Sequence, residues 1–98
     1  MIELPATFTV QCPTCYEQAI QFVLSFLIDT NGGAYSYPVS GWWKNNEGQI
    51  IKDDMTMIVS ASEHPLEPFE IEHIVRLIKV EAKQEAVCFT INDKMYII

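Results

Sequence analysis

Two of the three cysteines, Cys12 and Cys15, stand close together in Val10-Gln11-Cys12-Pro13-Thr14-Cys15-Tyr16-Glu17, the stretch richest in reactive side chains. Sulfurs so spaced can close a small disulfide or share one soft metal ion. Thr14 and Glu17 make a Thr-x-x-Glu capping box, which predicts a helix beginning at Cys15. There, unpaired N–H groups and the positive end of the helix dipole would favour a thiolate. A structural zinc site takes four ligands, and no second Cys-x-x-Cys or His pair follows to complete one. Packing is the competing use of both residues, since free cysteine is among the most buried types. Cys88, with apolar neighbours on a strand, reads as packing.

A second group is Tyr35-Ser36-Tyr37-Pro38-Val39-Ser40-Gly41-Trp42-Trp43, which holds both tryptophans and two of the four tyrosines. Adjacent strand residues point to opposite faces, so Trp42 and Trp43 cannot both enter one core. Large side chains with a polar tip anchor interfaces, and Tyr35, Tyr37, Trp42 and Trp43 are therefore candidates for a subunit or ligand contact. Asp53 and Asp54 are adjacent on a strand and point apart, so they do not converge on one proton or ion. His64 precedes a proline in a connector, and His73 falls on the polar side of a helix. No Ser/His/Asp spacing, phosphate-binding Gly-rich loop or His-Glu-x-x-His is present, so no nucleophile and base can be paired from the sequence.

The elements that must position these groups follow from periodicity. Residues 7–12 alternate strictly, with Phe8, Val10 and Cys12 on one face and Thr7, Thr9 and Gln11 on the other, as in a half-buried strand. Tyr16, Ala19, Ile20, Val23, Leu24 and Leu27 recur at helical steps, against a polar stripe of Gln18, Gln21, Ser25 and Asp29. Phe22 and Phe26 widen the apolar side, so this helix is expected to be largely buried, ending at Asn31-Gly32-Gly33. Residues 34–43 form a second strand, which Pro38 places at an edge or breaks. Asn45-Asn46-Glu47-Gly48 turns the chain into a third strand over residues 50–62, giving a hairpin. A second helix runs over residues 69–83, with Pro65 or Pro68 suited to its first turn and Glu72 and Arg76 spaced as an i,i+4 pair. Residues 86–91 make a fourth strand and residues 95–98 a short terminal one. This order predicts a single α+β domain over residues 1–98: a ferredoxin-like βαββαβ plait with an antiparallel sheet, two helices on one face and a short extra strand.

Composition narrows the partners. A hydrophobic content of 49% in 98 residues suffices for one core. A formal charge of −7 argues against the nucleic-acid backbone and anionic membranes. No apolar run approaches the roughly 20 residues of a membrane span, and residues 1–5 lack a signal-peptide pattern, so the cytosol is the expected compartment.

The loop Val10-Gln11-Cys12-Pro13-Thr14-Cys15 resembles the metal-binding loop of heavy-metal-associated domains, which implies Cys12 and Cys15 as ligands for copper(I) or zinc. Cys-Pro-x-Cys at a strand end also looks like a thioredoxin-type redox pair. The plan of the chain, with its Trp42-Trp43-Lys44 tract in a long hairpin, resembles PII- and CutA-like plaits, which implies sheet-mediated homo-oligomers. The expectation is a non-catalytic binding or regulatory module without a cofactor, a homo-dimer or higher oligomer associating through its sheet face or Tyr/Trp hairpin and binding a protein or small molecule. A soft-metal or thiol-redox protein using Cys12 and Cys15 is the alternative, and an acidic inhibitor of a basic protein the third reading.

Overall fold

Alternation of buried and half-buried side chains runs the length of β1, Ala6–Pro13, in a computed structural model that describes residues 1–98. The remaining elements are α1 (Glu17–Asn31), β2 (Tyr35–Lys44), β3 (Ile50–Ser62), α2 (Pro68–Glu81), β4 (Cys88–Ile91) and β5 (Lys94–Ile97). One sheet in the order β2-β3-β1-β4-β5 takes every strand, and each neighbouring pair is antiparallel. The expected plait and its additional terminal strand are present.

Register decides which side chains share a face, because directly opposed residues of an antiparallel pair point the same way. Phe8, Val10, Cys12, Ile58 and Phe89 face the helices and form the core with Ala19, Ile20, Val23 and Leu27 of α1 and Ile74, Val75 and Ile78 of α2. Ser60 is the one buried polar residue, and its hydroxyl donates to Gly33 O at 2.7 Å while accepting from Asn31 Nδ2 at 3.0 Å. These bonds tie the exit of α1 to the sheet. Gly32 allows that exit with a left-handed φ of 88°, its N–H reaching Ile28 O.

The start of α1 differs from expectation. The helix begins at Glu17 with Tyr16 as its N-cap, and no side chain caps it. Thr14 is drawn instead to the sheet: its N–H donates to Asp54 O at 3.0 Å and its hydroxyl bonds that of Thr56 at 3.0 Å. A tight turn closed by Tyr16 N–H to Pro13 O fills the corner, so Cys15 lies before the helix and not at its first position. Burial of α1 is also narrower than expected, with Phe22 and Ile28 exposed. In α2, Pro68 occupies the first turn, and Glu67 and Glu70 form a reciprocal capping box.

β2 and β3 outrun the rest of the sheet. β1 ends at Pro13 opposite Met55, whereas the hairpin continues to Lys44 opposite Ile50. The outer part of this hairpin is a two-stranded arm that contributes to a long axis of 47 Å against 24 and 23 Å. Pro38 sits in β2 at the sheet edge, as its missing N–H requires.

Candidate functional site

At the β1–α1 corner the two sulfurs meet different surroundings. Cys12 is fully buried in the core, and Cys15 is exposed. Burial pushes the Cys12 thiol up to about 11, with the neighbouring Cys15 adding to the shift. The thiolate form that metal binding and disulfide exchange require is therefore disfavoured at Cys12. No group of three or more His, Cys, Asp or Glu side chains converges anywhere in the chain. Beside Cys15 the surface opens into a shallow cleft lined by Pro13, Thr14, Asp53, Asp54 and Gln84. Cys88 is half-buried on the sheet face away from the helices, and burial raises its thiol pKa.

The aromatic group divides between the faces as strand parity demands. Tyr35, Tyr37, Val39 and Trp43 lie on the face without helices, opposite Val59, Met57, Met55 and Ile51. Trp42 lies on the other, opposite Lys52, whose ammonium stands 5.8 Å from the indole centre. Both indoles are largely open, Trp42 at 66% and Trp43 at 51%. Trp43 Nε1 donates to Asp53 Oδ2 at 2.7 Å, which ties the indole to a carboxylate at the root of the arm. Asp53 and Asp54 do point to opposite faces, yet both border the cleft beside Cys15.

The uncovered face is continuous. Tyr35 and Tyr37 stack at 6.3 Å between ring centres, and Met57, Val59 and Ala61 extend the apolar surface. Thr9 and Thr90 form a polar stripe across its middle, their hydroxyls 2.6 Å apart. Met95 and Ile97 of β5 complete it, 65% and 70% exposed. No helix packs over this face, so the apolar side chains of Tyr35, Tyr37, Met95 and Ile97 meet solvent in the single chain. On the helical side His73 is exposed, as expected, but its ring lies 4.7 Å from that of Phe26, tilted at 49°, instead of being purely solvated.

No family model matches the chain, and no curated protein does. Solved structures do. A phage SAM lyase in complex with S-methyl-5'-thioadenosine matches all of this chain and 94% of its own, with a TM-score of 0.73 at 13% identity. The apo form of a phage SAM lyase gives 0.61 over the same shares. The divalent cation tolerance protein CutA from Archaeoglobus fulgidus aligns with 88% of this chain and 79% of its own, at 9% identity and a TM-score of 0.60. The PII-like protein CutA from Nostoc sp. PCC 7120 aligns with 88% and 77%, at 14% identity and 0.56. The chain thus has a ferredoxin-like plait resembling those of phage SAM lyase and CutA, a likeness of fold at these identities.

Proposed function

We propose that this chain assembles with itself through the uncovered sheet face and the arm, and that the assembly binds a nucleoside thioether or sulfonium of the S-adenosylmethionine (SAM) type where copies meet. The observation that carries the assembly is the apolar face of Tyr35, Tyr37, Met57 and Val59 with no helix over it. Burying such a face against a second copy removes apolar surface from water at about 25 cal/mol per Å². The ligand class is supported by the match of the entire chain to a SAM lyase, better in the thioadenosine complex than in the apo form.

The arm offers what a sulfonium nucleoside needs. The Trp43 indole, half open, can stack on the base, and Asp54, in the cleft beside Cys15 at the root of the arm, supplies negative charge for the cation. Calorimetry with S-methyl-5'-thioadenosine and with SAM tests this reading. Saturable binding of both is expected, with Asp54→Asn weakening the cationic ligand about tenfold, on the order of 1.4 kcal/mol, and the neutral thioether far less. Absence of binding to either overturns the ligand assignment.

A catalytic reading is favoured by the same full-length likeness. Breaking the bond from sulfur to the amino-acid carbon leaves the electron pair on sulfur as neutral S-methyl-5'-thioadenosine. The amino-acid fragment restores its valence by closing on its own carboxylate or by losing a β-proton. Mass-spectrometric appearance of S-methyl-5'-thioadenosine from SAM, above the rate without protein, supports lyase chemistry, and binding without that product leaves a non-catalytic module.

A further inference from the structure

Besides the outer edge of β2, two pieces of strand carry backbone groups with no partner. β5 closes one side of the sheet, and Val87 and Ile98 exchange both backbone bonds beside it, at 2.9 and 3.1 Å. Alternation along an antiparallel ladder therefore turns the N–H and C=O of Met95 and Ile97 outward. The second piece lies in the arm. Thr14 N–H bonds Asp54 O, so Asp54 turns toward β1, and the same alternation turns Lys52 and Ile50 that way too. β1 has already ended at Pro13, and no backbone bond from outside the hairpin reaches residues 50–53.

We propose that these edges pair between copies of this chain: β5 of one lies antiparallel beside residues 50–53 of the next. The register sets Ile97 opposite Ile50, Met95 opposite Lys52 and Lys94 opposite Asp53. Two free residues on each edge then satisfy one another. Opposed residues share a face, so Met95 and Ile97 join Ile50 (71% exposed) and Trp42, four of the most open apolar side chains in the molecule. On the other face Tyr96 meets Ile51 and Trp43, and the Lys94 ammonium meets the Asp53 carboxylate. A parallel arrangement would put Lys94 near Gln49 and leave Asp53 without that cation. The outer edge of β2 is the poorer partner, because Pro38 opposes Thr56 with the same parity as Asp54 and so faces outward without an N–H. The contact is head to tail, so its repetition builds a ring where the rotation closes and an open chain where it does not.

This pairing rests on the self-association proposed above and adds the edges that make it. The test is a full-length Cys15→Ser chain carrying Asp53→Cys and Lys94→Cys, oxidised in dilute solution and resolved without reductant, alongside sedimentation of the unaltered chain. A ladder of covalent multimers is expected, whereas Lys52→Cys with Lys94→Cys, on opposite faces, stays unlinked. Ile97→Pro removes only an outward N–H and leaves the bonds to β4, so its circular dichroism should hold while self-association weakens at least about tenfold. If the unaltered chain assembles but no ladder forms, or Ile97→Pro assembles as well as it does, the pairing is wrong and self-association stands. A chain that sediments as a monomer overturns both.

Discussion

Cys12 and Cys15 share a motif but not an environment, and the difference can be measured. A thiol reagent should label Cys15 quickly in the folded protein and reach Cys12 only on unfolding, because Cys12 has no exposed surface. The raised Cys12 value also makes stability depend on pH. In the folded chain this thiol keeps its proton to about 11, against an ordinary 9.0, so between those values the unfolded chain binds fewer protons. Its contribution is complete below pH 9, falls as pH rises at roughly 1.4 kcal/mol per unit, and levels off above 11. Urea unfolding from pH 8 to 10.5 should show this slope in the unaltered protein and a shallower one in Cys12→Ala. The same slope in both would refute the assignment.

At the scale of elements, hydrogen bonds at the helix ends replace what a local motif led one to expect. Removing the Glu70 carboxylate frees the Glu67 N–H, and Glu70→Ala should cost about 1 kcal/mol in chemical denaturation. Thr14→Ala should cost sheet contacts to Thr56 and leave the helix content of α1 unchanged by circular dichroism, because its hydroxyl caps nothing there. The strands were legible because their period is two: alternation over residues 7–12 assigned Phe8, Val10 and Cys12 to one face, and adjacency in a strand sent Trp42 and Trp43 to opposite ones, as the register shows. The helix start was not legible, because Asp54 and Thr56 lie some forty residues away from Thr14 and compete for it only in the folded chain. For the candidate site, the type of Trp43 could be read from the sequence but its tie to Asp53 could not, since that bond needs the hairpin register that sets Gly41 opposite Asp53. The adjacency of Asp53 and Asp54 hid their common cleft, which forms where the arm meets the β1–α1 corner.

For the whole molecule, the sheet keeps one face for its helices and leaves the other to solvent, and the acidic surface accompanies that exposed apolar area. A net charge of −7 discourages indiscriminate association while leaving a shaped, aromatic contact available. Placing a carboxylate in the middle of the proposed contact should break it: Tyr37→Glu is expected to weaken assembly at least about tenfold without lowering secondary structure, because Tyr37 is exposed in the single chain and would be desolvated in the proposed contact. Sedimentation of Tyr37→Glu identical to that of the unaltered chain would exclude this face from the interface. Native mass spectrometry of the unaltered chain at micromolar concentration, with S-methyl-5'-thioadenosine added, tests assembly and ligand together. The account predicts a discrete multiple of the 11.2 kDa chain that gains the mass of the nucleoside; a species of 11.2 kDa alone, with or without it, would contradict the account.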